Sequence, residues 1–185
     1  MAYFYFDFRD ANKRHWRGLV SSLLTQLSTQ SSACCDILSR LYSDHDNGAQ
    51  HPSDDALKPC LIEMLTVQDR DPIYLIMDAL DECPDTTEVP SPRTRILQLL
   101  EELADLHIPN LRICATSRLE FDLKNFLEPL TSRQVSLHDQ SGQKQDIADY
   151  IRSVVYSKSE PHMRRWENED MDFVIETLSE RADGV

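Results

Sequence analysis

Five apolar residues run without a break at Ile73-Tyr74-Leu75-Ile76-Met77, with Pro72 before them and Asp78, Asp81, Glu82 and Pro84 behind. A run of this length, closed by proline on both sides, predicts a strand buried on both faces, as in parallel sheets with helices on either side. In such sheets ligands collect at the carboxyl ends of the strands. Asp78 falls at that end, where a carboxylate facing a phosphate site holds a hydrated Mg²⁺. Asp81 or Glu82, one turn further on, is placed to orient or polarise an attacking water. Acids after a strand also cap the next helix or face solvent, so the rest of the chain has to decide between the two readings.

Composition narrows the choice. A chain of 185 residues with a net charge of −13 lacks the clustered Lys and Arg that a nucleic-acid or anionic-membrane surface requires. A small nucleotide is not excluded, because a local loop and a metal hold its phosphates. The longest apolar runs fall short of a membrane span, and Ala2-Tyr3-Phe4-Tyr5-Phe6 after Met1 brings no basic segment of the secretory type. The five cysteines show no Cys-x-x-Cys spacing, which predicts reduced thiols in a cytoplasmic protein. Cys114, within an apolar run, is expected in the core.

Ala2 to Phe8 is rich in strand formers. Trp16, Leu19, Val20, Leu23, Leu24 and Leu27 then recur at the helical period and predict a one-sided amphipathic helix. A shorter helix follows, with Ile37, Leu38, Leu41 and Tyr42 as its stripe. His45 and His51, with Asp44 and Asp46, sit in a polar loop at spacings that fit no zinc pattern. Leu57, Leu61, Met64 and Leu65 mark another helix, with Ser53 as its cap. Beyond the central strand, Ser91-Pro92 reads as N-cap and first helical residue, and Ile96, Leu99, Leu100 and Leu103 form the inward face. Leu111 to Thr116 is a strand ending in Thr116-Ser117-Arg118, a short helix covers Phe121 to Leu127, and Gln134 to Leu137 reads as a further short strand. Two helices close the chain. Ile147, Tyr150, Ile151, Val154 and Val155 face inward on the first, Met171, Val174, Ile175 and Leu178 on the second, and a basic polar segment from Lys158 to Glu169 lies between them. Alternating strands and helices imply an open parallel sheet, hence an α/β fold, followed by a helical region.

With these pieces in order, the chain resembles the NACHT-type P-loop NTPases of the STAND class, in particular the fungal branch with a nephrocystin-like NACHT region joined to ankyrin or other repeats. Three segments carry the resemblance. Ala2 through Asp10 is similar to the family's second strand, Ile73 through Cys83 to its Walker B segment, and Leu111 through Arg118 to its sensor 1 strand. The resemblance implies a P-loop NTPase core of three layers, a parallel sheet flanked by helices, over residues 1–140, with a helical domain beginning over 141–185. It implies Asp78 as the Mg²⁺ partner, Asp81 and Glu82 as acids near the hydrolytic water, and Arg118 as a sensor of the γ-phosphate of ATP or GTP. Leu119 stands where the family usually has proline.

The family's phosphate cradle is Gly-x-x-x-x-Gly-Lys-[Ser/Thr], whose backbone N–H groups and lysine hold the phosphates. None of Gly18, Gly48, Gly142 and Gly184 belongs to such a motif. In the family the motif precedes the strand that opens this chain, so an internal fragment is expected, with a gap or a re-paired sheet where the first strand is missing. Such a fragment is expected to bind Mg-nucleotide weakly or not at all. Two functions remain: a nucleotide-dependent signalling switch that oligomerises or meets a related NACHT protein, and a non-catalytic interaction module acting through its helical surfaces. A hydrolase or nuclease that uses Asp78, Asp81 and Glu82 as a metal cluster is the third class, disfavoured by the negative charge.

Overall fold

The computed structural model describes residues 1–67, 72–136, 141–157 and 166–181. The chain divides into two compact units, Met1–Thr131 and Ser132–Val185.

The first unit is built on a three-stranded parallel sheet of β1 (Ala2–Tyr5), β2 (Ile73–Asp78) and β3 (Leu111–Ala115), in that spatial order. Its helices are α1 (Trp16–Ser28), α2 (Ser32–Asp44), α3 (Asp54–Leu65), α4 (Pro92–Asp105) and α5 (Phe121–Leu127). This is the α/β class, a parallel sheet flanked by helices. β2 is central and pairs on both sides, Leu75 standing level with Ala2 and Ile113, so no gap interrupts the sheet among the described residues.

The helical stripes behave as their spacing demands. On α1, Trp16, Leu19, Val20, Leu23, Leu24 and Leu27 are all buried, each stabilising the fold by about 1.5–3 kcal/mol through apolar area removed from water. α3 buries Leu57, Leu61, Met64 and Leu65, and α4 buries Ile96, Leu99, Leu100 and Leu103. Ser91 caps α4 through its hydroxyl, which accepts from the N–H of Thr94 at 3.1 Å, and Pro92 fills the first helical position. Ser53 occupies the N-cap of α3 but makes no side-chain cap bond, and Asp54 and Asp55 supply the favourable negative charge at that helix end instead.

Four expectations need correction. β2 is not buried on both faces: Ile73, Leu75 and Met77 are buried, whereas Tyr74 is half exposed. Cys114 is exposed, because it stands level with Ile76 and Tyr3, on the face opposite the buried Leu75 and Met77. Gln134–Ser136 form no strand, while Leu137 lies outside the described residues. Tyr42, Tyr150 and Leu178, expected inward on their helices, are exposed.

In the second unit α6 (Ser141–Tyr156) and α7 (Asn168–Arg181) form a small core of Val155, Met171 and Ile175, with Ile151, Trp166 and Val174 packed against it. Residues 158–165 of the basic segment and the terminal Gly184-Val185 lie outside the described residues. Among the described residues no helix is long and apolar enough to cross a membrane.

Candidate functional site

Parallel strands deliver their carboxyl ends to one edge of a sheet, and here that edge carries all four residues singled out in the sequence. Asp78 closes β2. The chain then turns through Ala79 in a left-handed conformation (φ 57°, ψ 52°) into a single 3-10 turn, Leu80–Glu82. Leu80 is buried and anchors the turn. The segment after β3 folds against it. The N–H of Thr116 donates to Met77 O at 2.9 Å, and Thr116 O accepts from the N–H of Leu80 at 2.9 Å. These backbone bonds extend the β2–β3 pairing past the last strand residues and bring Asp78, Asp81 and Arg118 to the same edge.

Asp78 is partly buried. Its Oδ1 accepts from the Thr116 hydroxyl at 2.5 Å, and its backbone oxygen accepts from the N–H of Phe6 at 3.0 Å. Asp81 turns toward β3. Its Oδ1 accepts from the N–H of Arg118 at 3.0 Å, and its Oδ2 lies 3.4 Å from Arg118 Nε. The Asp81 side chain is 8% exposed and that of Arg118 81%, so an inward acid holds the root of an outward guanidinium. Glu82 turns the other way and accepts from the N–H of Phe8 at 3.2 Å, tying the segment after β1 to the same turn. Nearby, hydrogen bonds from the side chain and backbone of Arg9 hold the Asp7 carboxyl below its ordinary range.

The three acids therefore do not converge. Asp78 meets Thr116, Asp81 meets Arg118 and Glu82 meets Phe8, and among the described residues no group of three His, Cys, Asp or Glu side chains is placed to hold a metal ion. This overturns the metal-cluster reading of the three acids. It leaves room for Asp78 as the single protein carboxylate of a Mg²⁺ whose other ligands are phosphates and waters, a common arrangement for this ion.

Two participants went unassigned in the sequence. Thr116 was legible only as the end of an apolar run, although a hydroxyl one strand over from an acid is the signal that finds it. Arg93, in the first turn of α4, had no signal of its own. It is buried, and its guanidinium reaches the backbone oxygens of Asp81 and Cys83 and the carboxylates of Glu120 and Asp122. Burial alone would lift the Asp122 carboxyl. The hydrogen bonds from Arg93 and from the Leu123 backbone outweigh that and hold it below the ordinary carboxylate range.

A family model described as Nephrocystin 3, N-terminal, matches residues 1–118, which span all three strands and end on Arg118. No curated protein matches the chain, and neither does any solved structure. On the family match, which covers more than half of its length, the chain belongs to the nephrocystin 3 N-terminal family.

Proposed function

We propose that this chain is part of a NACHT-type, STAND-class nucleotide switch. In this reading Asp78 holds the Mg²⁺ of bound ATP or GTP, Asp81 and Glu82 flank the hydrolytic water, and Arg118 reads the terminal phosphate. The observation that carries it is the Asp81–Arg118 pair at the carboxyl edge of a parallel sheet, one strand end from Asp78. An exposed arginine rooted on a nearly buried acid is free to swing toward an anion and to return when the anion leaves. Such a change of partner is a way for nucleotide state to be read out as a change in the pairing of Arg118. A cytoplasmic location and assembly with a second copy or a related NACHT protein go with this reading, and the five unbridged cysteines are in keeping with it.

No Gly-x-x-x-x-Gly-Lys-[Ser/Thr] occurs within the 185 residues. The chain by itself is therefore expected to bind Mg-ATP and Mg-GTP more weakly than about 1 mM by calorimetry. Joined to a P-loop strand and helix from a NACHT relative, it should bind one of them in a Mg²⁺-dependent manner, and Asp78→Ala and Arg118→Ala should abolish that binding. A folded fusion that binds neither nucleotide, or binds equally well with Asp78→Ala, would sink the reading.

The alternative is a non-catalytic interaction module. What favours it is that the chain already uses Asp81 and Glu82 internally, on Arg118 and on the Phe8 N–H. Association with a related NACHT protein that is unchanged by Asp78→Ala and Arg118→Ala would select it.

A further inference from the structure

Arg93 is the second residue of α4, a position that usually faces water, yet it is 8% exposed. A guanidinium is seldom buried to this degree unless its donors are used, and here four hydrogen bonds engage all three of its nitrogens. Nε donates to Cys83 O at 2.9 Å and Nη2 to Asp81 O at 2.8 Å. Nη1 donates to Glu120 Oε2 at 2.5 Å and to Asp122 Oδ2 at 2.9 Å. The two backbone acceptors belong to the turn after β2. The two carboxylates belong to the segment after β3, Glu120 just before α5 and Asp122 in its first turn. The same two segments meet again where Asp81 binds Arg118. Beyond the bonds that Thr116 accepts from the N–H groups of Leu80 and Ala79 at the start of the turn, two arginine side chains thus join them, one buried and one exposed.

We propose that Arg93 is a positioning residue for the Asp81–Arg118 pair: it locks the turn that carries Asp81 to the segment that carries Arg118, so that the two loops keep one geometry. The functional meaning of this lock rests on the nucleotide-switch reading, in which a phosphate competes with Asp81 for Arg118. Only the exposed joint then opens, because the buried one holds the loops in place while Arg118 swings. Arginine is needed for the task. A planar fork with donors on three nitrogens spans four acceptors on two segments, whereas a lysine ammonium has a single nitrogen.

The test is amide hydrogen exchange on the full chain without nucleotide, so its result does not depend on whether the chain binds one. In Arg93→Met, exchange at the Cys83 and Arg118 amides should rise about tenfold or more relative to Leu75 in the centre of β2. Arg93→Lys should recover only a minor part of the protection. Arg95→Met removes the neighbouring arginine of α4, which pairs with Asp54 and stacks on Trp16, and should leave the ratio at Arg118 unchanged. An unchanged Arg118 amide in Arg93→Met overturns the proposal. So does a rise by one common factor at Leu75, Cys83 and Arg118, which would mark Arg93 as a contributor to overall stability alone. Should Arg93→Met fail to fold, the Glu120→Gln/Asp122→Asn double variant carries the same test. It weakens the clamp on one side only, and the same two outcomes decide.

Discussion

The hydroxyl of Thr116 donates to Asp78 Oδ1 at 2.5 Å and accepts from the N–H of Ala79 at 3.0 Å. One side chain on β3's extension thus fixes both the acid that ends β2 and the first peptide of the turn that follows. Thr116→Val keeps the shape and removes both bonds, leaving a partly buried carboxylate oxygen and an N–H without their partner. The expected loss is about 1–3 kcal/mol of folding stability by urea denaturation. Thr116→Ser, which keeps the hydroxyl, should recover most of it. Equal losses in the two variants would show that the methyl packing, and not the hydroxyl, matters.

Ala79 provides a second test of the same turn. Its φ of 57° places a non-glycine residue in the left-handed region, where Cβ crowds the backbone at a cost of about 1–2 kcal/mol. Glycine removes that cost but adds backbone entropy to the unfolded chain, about 0.5–1 kcal/mol the other way. Ala79→Gly should therefore raise stability slightly, by up to about 1.5 kcal/mol, with the midpoint of unfolding moving up and its slope unchanged. A loss of about 0.5–1 kcal/mol, the entropy effect alone, would mean that the turn holds the left-handed conformation without strain.

The order of elements was legible in the sequence because it rests on local pattern. The six apolar positions from Trp16 to Leu27 recur at the helical period and are all buried in α1. The run from Ile73 to Met77 is a strand with Asp78 at its end. What covers a strand is not a local property. Ile76 and Cys114 are as apolar as Leu75, but they lie on the opposite face from it, and only the packed molecule shows which face the helices take. Tyr3 and Tyr5, alternating with Ala2 and Phe4, carried the one hint, since tyrosines with a free hydroxyl suit a face open to water. Gln134–Ser136 had the composition of a strand but pair with no strand among the described residues. The partners within the site are also non-local. Asp81 finds Arg118 37 positions away, and Arg93 finds Asp122 29 positions away, distances over which spacing says nothing.

The cysteines give a pH test with a defined sign. Burial pushes the Cys83 thiol up to about 12, with a smaller opposing effect from Arg93, and the Cys60 thiol up to about 11. In the unfolded chain both ionise near about 8.5. Below that pH both states are protonated and these thiols contribute no dependence. Above it the unfolded chain has released protons that the folded chain retains, so stability must fall as pH rises from about 9 toward 11 and 12. A Cys60→Ala/Cys83→Ala variant, compared with the parent chain at each pH, should lose part of that alkaline slope. At pH 8 alkylation should modify Cys35 and Cys114, which are exposed, and spare Cys34, Cys60 and Cys83 until the chain unfolds. Early modification of Cys83 by mass spectrometry would contradict its burial beneath the turn that carries Asp81 and Glu82.

Gly18 sets two effects of opposite sign against each other. It lies in the first turn of α1, where alanine is the better helix former by about 1 kcal/mol. Propensity alone therefore predicts that Gly18→Ala stabilises the protein. A Cβ at this position, however, would stand 1.9 Å from the backbone oxygen of Asn12 and 3.1 Å from its carbonyl carbon. Backbone cannot rotate aside as a side chain can. The 3-10 turn Ala11–Lys13 would have to move, and with it Lys13, whose carbonyl oxygen accepts from the N–H of Asp7 at 3.2 Å. The segment after β1 that Glu82 holds through Phe8 would be displaced in turn. Overpacking of this kind costs about 1–3 kcal/mol or more, which outweighs the gain in propensity. Gly18→Ala should lower the urea midpoint and speed exchange at the Phe8 amide. A raised midpoint would show that the turn yields freely and that the close approach of α1 to Asn12 is not what holds the segment after β1 in place.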